Sequence, residues 1–552
     1  MTPKQLILTM LTGVVCFFFG LSLLASWSQP QIQGQLELRE TNLLLQITEL
    51  QQWQRSERAD VIDADGVATG MSDAEVVEQN SRGDDLFALA LEKYRDALQS
   101  NQDTLDKTVA QLDQLQARQD NAGSMLQLGT SFESSAAQIE QQKQLEAAIA
   151  KSQTWGDAIR LRLGLIQMHA GKPETARQTW MALIEGAKNR LGSAAIDRSE
   201  IATAKVLIGF WSDPPRLLPD AEQPIQHSLT GWFRYRSLKQ LYRLQQRQDA
   251  LEQLQLEEQI TAQNAFQKLA ILRGFPIIIS VLGVGLGLFL LGQRVVRGQK
   301  ALLAQNGDRR WAVPWNGEIV WQVLIVGFFC MSLFLGQILV PLVFGLFRLN
   351  PEAGQVKIQA FYTLVNYLCI AAAGIGVLYG SLKPFLPLPP DAGWFQVDWR
   401  RRSWINWGLG GFVIALPIVI VVSLVNQLFW QGQGGNNPVL TMALESQDAI
   451  ALAILIVTAT VAAPLFEEVL FRGFLLPSLT RYVPVWGAIA ISSLLFAFAH
   501  LNLSEVLPLA TLGIILGIVY TRSRNLLAPI LLHSLWNSNA MLNLVILGSS
   551  PN

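Results

Sequence analysis

From Ser403 to Asn552 the chain carries only nine Asp, Glu, Lys and Arg residues. So few charges cannot solvate a globular surface, since soluble proteins average about 25 % charged residues. What fills the stretch instead is a series of apolar runs. Each is about 20 residues long, enough to cross roughly 30 Å of hydrocarbon at 1.5 Å per residue. The 552-residue chain as a whole has 15 % charged residues and a mean hydropathy of +0.27, so the same reading extends beyond its last third. Its net charge of −1 gives no electrostatic basis for binding nucleic acid. The three cysteines, Cys16, Cys330 and Cys369, all fall inside apolar runs, which excludes a disulfide framework and a Cys-rich zinc site.

Nine spans are expected, the first an anchor over Leu6–Ala25. The others are Phe275–Leu291, Ile319–Leu342, Ala360–Leu382, Ile405–Trp430, Ala449–Phe466, Val483–His500, Val506–Tyr520 and Leu526–Leu547. Basic residues mark alternate loops: Arg294, Arg297, Lys300, Arg309 and Arg310, then Lys383 with Arg400, Arg401 and Arg402. Arg472 and Arg481, and finally Arg522 and Arg524, continue the alternation. The positive-inside rule then places the amino terminus in the cytoplasm and the extramembrane region on the non-cytoplasmic side. The expected membrane is a bacterial plasma membrane or one of thylakoid type, and the expected fold is all-α, a polytopic helix bundle. Four regions follow: an anchor (1–28), an extramembrane helical domain (29–273), leading transmembrane helices (274–404) and a membrane domain (405–552) holding the candidate site.

Region 29–273 is polar, Gln-rich and helical in pattern. Residues Ile32–Gln54 carry leucines at helical spacing, as in a stalk, and the acid-rich stretch Ser56–Asp84 is expected to be disordered. Ala158–Glu185 and Ser237–Gln255 each read as helix, short polar turn and helix, with Ala176 and Ala250 in the first turn of the second helix. That pattern is similar to tetratricopeptide units, which suit a protein partner; an irregular helical domain reads the same residues equally well. His169 and His227 have no partner motif and are expected to be structural or surface residues.

Ionisable residues at membrane depth are expensive and read as functional. Three groups stand out: Glu467, Glu468 and Arg472; Phe496 and His500; His533 and Asn537. Glu468 and Arg472 form an i, i+4 pair in the favourable orientation, so Glu468 is expected to be structural. Glu467 sits about 100° around the helix without that partner and suits a general base. Phe496 shares a face with His500, and His533 with Asn537. A Glu, two His and an Asn converging in a membrane pocket can add water to an amide. Glu467 with His500 would activate the water, while His533 and Asn537 would donate to the oxyanion, about 2.7–4 kcal/mol per donor in studied hydrolases. The competing reading is that these groups only fasten helices together.

The order EExxxR, FxxxH, HxxxN on successive apolar segments resembles the CPBP family of intramembrane proteases, which includes the type II CAAX prenyl endopeptidases and the Abi bacteriocin-processing and immunity proteins. The resemblance covers about 100 residues directly, and Ile405–Leu547 at most. It implies a multi-helix membrane bundle, peptidase activity, and a catalytic set of Glu467, His500, His533 and Asn537, supported by Glu468, Arg472 and Phe496. The expected substrate is a peptide or membrane-protein segment in the lipid bilayer; the motifs encode amide hydrolysis rather than recognition of a prenyl group. No cofactor is favoured. Zinc on Glu467, His500 and His533 is the alternative, although no HExxH motif is present. A second functional class is a non-proteolytic immunity, assembly or scaffold protein whose helical domain binds a partner.

Simple span counting leaves one conflict. It puts Glu467 near the inner face and His500 near the outer end of the next span, where they cannot meet. A helix broken at Pro464, with Glu467–Leu479 embedded in the membrane, would repair it.

Overall fold

The computed structural model describes residues 2–27, 31–48, 73–125, 132–191, 198–349, 356–388, 393–430, 434–435 and 437–549. Among these residues all regular structure is helical. The chain divides into two compact units, 33–271 and a second formed by 1–32 with 272–549. The segment 56–72 of the stretch expected to be disordered lies outside the described residues, and 73–84 begin a helix.

Helix α1 (Pro3–Ser26) belongs to the second unit and is capped by Thr2, whose hydroxyl accepts from the Gln5 amide. The unit 33–271 holds α2 (residues 33–48), α3 (Asp73–Met125), α4 (Phe132–His169), α5 (Pro173–Leu191), α6 (Ser199–Phe210), α7 (Glu222–Ser228), α8 (Gly231–Leu244) and α9 (Gln248–Leu269). Both expected helix–turn–helix segments form, α4–α5 and α8–α9. Their helices are 38, 19, 14 and 22 residues long, and no tetratricopeptide repeat pattern is shown. Trp180 and Trp232 are fully buried at the core of this unit. Gly164 lets the Trp180 ring lie against α4, where its Nε1 donates to the Leu161 carbonyl at 3.1 Å. Arg190 fastens α5 to α4 by two bonds to the buried Asp157 carboxylate, at 2.7 and 2.8 Å. His169 stacks on Phe87, with 4.0 Å between ring centroids, and its Nδ1 meets the Arg236 guanidinium; His227 is exposed on α7.

The membrane unit continues with α10 (Phe275–Arg297), α11 (Gly317–Leu346), α12 (Val356–Phe385), α13 (Ser403–Trp430), α14 (Pro438–Glu445), α15 (Ala449–Leu479), α16 (Val485–Phe498), α17 (Val506–Ser523) and α18 (Leu527–Gly548). Small residues bring their axes together. A Cβ on Gly283 of α10 would collide with the Val413 carbonyl oxygen of α13, and one on Gly513 or Gly411 would crowd Ser493 of α16 or Leu532 of α18. The outside is apolar: only 11 % of the most hydrophobic stretch of α10 is buried, leaving Val281, Leu288 and Phe289 exposed for lipid.

The bundle has two distinct ends. At one, Lys4 pairs with Glu318 at 2.9 Å, the Asn306 amide donates to the Arg522 carbonyl, and Asn525 donates to the Asp398 carbonyl. At the other, the Leu503 amide donates to Ser26, Asn426 to the Ser504 carbonyl, and Gln447 to the Gly548 carbonyl. Eight helices among the described residues are long and apolar enough to cross a membrane, against the nine expected. The difference is the span expected over Val483–His500. Here α16 has 14 residues, about 21 Å at 1.5 Å per residue, and residues 499–505 complete the passage between the two ends. The expected break at Pro464 is also absent, because α15 stays helical for 31 residues. The protein is an all-α, multi-spanning membrane protein with an N-terminal extramembrane helical region.

Candidate functional site

Helix α15 carries two π-helical segments, Thr458–Ala462 and Val469–Leu475, on either side of the α-helical Ala463–Glu468. The wider π turn ahead of Pro464 accommodates a residue that has no N–H to bond backwards, which is why the helix continues through it. It also leaves the Ala459 carbonyl for Asn537 on α18, whose Nδ2 donates to it at 2.7 Å. Glu467 and Glu468 therefore lie well inside α15, not at its end.

Glu468 and Arg472 form the ion pair their spacing implies, at 2.7 Å with both side chains wholly buried. The guanidinium also lies over the Phe496 ring, 4.4 Å from its centroid, and donates to the Gly513 carbonyl. The same carboxylate oxygen, Glu468 Oε1, meets His533 Nδ1 at 2.8 Å. A carboxylate accepts, so Nδ1 carries a proton and donates to it, which leaves Nε2 on the far edge of the ring. That nitrogen points at the other acid, 3.9 Å from Glu467 Oε2. Glu467 Oε1 accepts from the Tyr367 hydroxyl of α12 at 3.1 Å, while Oε2 is buried with no hydrogen-bond partner. One imidazole thus spans two consecutive carboxylates, which helical geometry aims at different neighbours.

Phe496 lies at the centre of the cluster, with its ring centroid 5.4 Å from Phe471, 5.7 Å from His533 and 4.9 Å from His500. Because α15 and α16 run in opposite directions, the Phe471–Phe496 contact fixes their register. One turn towards the same end of the bundle are Glu467 on α15 and His500 on α16. The depth conflict of simple span counting is thereby removed, although no hydrogen bond or ion pair joins Glu467 to His500 among the described residues. His500 Nδ1 donates to the Phe496 carbonyl at 2.9 Å, and Glu505 lies within electrostatic reach of the ring.

His533 and Asn537 share a face of α18 but do not aim donors at one point: Nδ1 of His533 is taken by Glu468 and Nδ2 of Asn537 by Ala459. Glu467, His500 and His533 do not converge as ligands either. No group of three His, Cys, Asp or Glu side chains among the described residues could hold a metal ion. Sequence reasoning also missed Tyr367 and Glu505. The signal for Tyr367 was the Asn366–Tyr367 pair in the middle of an apolar run.

Residues 449–539 match the sequence model of the family described as Type II CAAX prenyl endopeptidase Rce1-like. The chain is 29 % identical to the putative membrane peptidase YdiL of Bacillus subtilis over 136 residues, 24 % of this chain and 54 % of that protein. It is 28 % identical to the membrane-embedded CAAX protease MroQ of Staphylococcus aureus over 148 residues, 26 % of this chain and 59 % of that one. An uncharacterized 24.3 kDa protein of Escherichia coli is 37 % identical over 102 residues, 18 % of this chain and 47 % of the relative. The chain thus spans about half the length of the curated relatives it matches. No solved structure shows a significant match. A CAAX-protease-like domain is present in the membrane unit, and the region 33–271 lies outside the matched residues.

Proposed function

We propose that the protein is an intramembrane endopeptidase. The observation that carries this reading is the facing pair Glu467 Oε2 and His533 Nε2, 3.9 Å apart, of which Oε2 is buried without a hydrogen-bond partner. That gap is too long for a direct hydrogen bond, and a water set to one side of it, about 2.8 Å from each atom, would bridge them. Such a water would donate to both acceptors, leaving an oxygen lone pair for a scissile carbonyl, and one of the two groups would take its proton. Glu468 holds His533 in the tautomer this requires, and Arg472 balances the Glu468 charge. Tyr367 holds the far oxygen of Glu467, so that Oε2 faces the ring. The second N–H of Asn537 then serves the developing oxyanion, while the Nδ1 proton of His500 stays committed to the Phe496 carbonyl. This assigns His533 to the water, where spacing alone gave it to the oxyanion, because the proton on its Nδ1 is committed to Glu468.

The substrate in this reading is a peptide or membrane-protein segment, and the region 33–271 selects the protein partner. No step runs through a metal. The test is a proteomic comparison of membranes containing the wild type and Glu467→Gln. Cleavage products lost in the variant are expected; products that persist unchanged would sink the peptidase reading and leave a scaffold role.

A further inference from the structure

At the end of the bundle where α10 and α17 finish, Arg522 is only 5 % exposed, yet its Nε and Nη1 have no hydrogen-bond partner. Arg524, two residues on, stacks its guanidinium over the Trp311 ring, 3.5 Å from the centroid, and also leaves a buried Nε without a partner. Arg294 lies within electrostatic reach of Arg522, where Asp308 offsets it, and Arg309 within reach of Arg524, whose guanidinium also donates to the Arg309 carbonyl.

A topological role does not account for this arrangement. Flanking cations that only mark the cytoplasmic side lay their stems on apolar surface and keep their heads in water. Arg522 does the opposite. The Trp486 ring covers one side of its head, 5.3 Å from the centroid, and the Asn306–Gly307 backbone closes another, so close that a Cβ on Gly307 would stand 2.9 Å from Nη1. A buried charge with unmet donors and like-charged neighbours is unfavourable unless an anion completes it. A planar donor fork at the level where a membrane helix ends matches a phosphate group in both charge and geometry.

We propose that Arg522 and Arg524, with Arg294 and Arg309 at the rim, bind a phosphate group, supplied by an anionic lipid headgroup or by free phosphate. The site is separate from the Glu467–His533 pair and independent of any peptidase activity.

The experiment uses the full chain purified in neutral detergent. Native mass spectrometry and thermal unfolding are recorded with phosphatidylglycerol and, separately, with inorganic phosphate. Phosphatidylglycerol is expected to stay bound and to raise the unfolding temperature. Arg522→Gln should weaken it about tenfold or more, the loss of one charge-assisted hydrogen bond. Arg400→Gln, on the exposed loop ahead of α13, should change it less than about twofold, as expected of an exposed charge. Stabilisation by inorganic phosphate alone, lost in Arg522→Gln, would support the site and assign it to free phosphate. If Arg522→Gln does not fold, the double variant Arg294→Gln/Arg309→Gln, on exposed side chains, decides instead. Unchanged binding of both ligands in these variants, or an equal loss in Arg400→Gln, would overturn the proposal.

Discussion

Replacing Arg472 with Met removes one half of an ion pair whose two side chains are completely shielded from solvent. At an effective dielectric constant near 20, the attraction across the 2.7 Å contact is about 6 kcal/mol. Desolvation offsets part of that, and removing one partner of a buried pair typically costs about 3–5 kcal/mol. The larger part of this loss comes from what stays behind: Glu468 would keep its charge with only the His533 ring as partner. A second change therefore makes the test specific. Glu468→Gln in the same chain removes the stranded charge and still offers His533 an acceptor, so the double variant should recover about 1–3 kcal/mol relative to Arg472→Met. Reversible unfolding of the full chain in mixed micelles, by titration with SDS, measures the wild type and both variants. A loss below about 1 kcal/mol for Arg472→Met, or a double variant less stable than Arg472→Met, would refute the reasoning.

Tyr367→Phe leaves Glu467 Oε1 without its donor and should cost about 1.5–3 kcal/mol in the same titration. In a cleavage assay it should lower kcat about tenfold or more with KM little changed, since Tyr367 positions Glu467 and does not meet the substrate; an unchanged kcat would remove it from the mechanism. Asn537→Ala frees the Ala459 carbonyl inside the bundle and should destabilise it by about 1–3 kcal/mol, read by SDS titration. Gly283→Ala drives a methyl group into the Val413 carbonyl and should cost about 1–3 kcal/mol. Gly285→Ala, where an added Cβ meets nothing within 4 Å, is its control and should be near neutral.

The charge-poor apolar runs made the membrane bundle legible because burial in lipid forbids most other compositions. The i, i+4 rule likewise revealed Glu468–Arg472, since both residues lie on one helix. Partnerships between helices were harder to read. Glu468 with His533, and Glu467 with Tyr367, depend on how α12, α15 and α18 are packed, which spacing along one helix does not encode. Pro464 misled for a local reason. Proline breaks an α-helix by removing a bond and crowding the preceding turn, but a π turn relieves both, and π segments leave no clear periodicity in sequence. The short α16 shows the same limit, because the span read over Val483–His500 gives no sign that the helix ends at Phe498.

The place of α1 in the membrane unit has a consequence for synthesis. The indole of Trp321, which donates to Thr12 at 2.8 Å, lies 309 residues after it in the chain; the backbone amide of Leu503, bonded to Ser26, lies 477 residues after. At roughly 5–20 residues per second, α1 leaves the ribosome about 15–60 s before Trp321 does. Through that interval α1 has lipid as its surroundings, and its composition suits the wait. Only 11 % of its apolar stretch is buried in the finished protein, so most of the surface that lipid covers during synthesis remains covered by lipid afterwards.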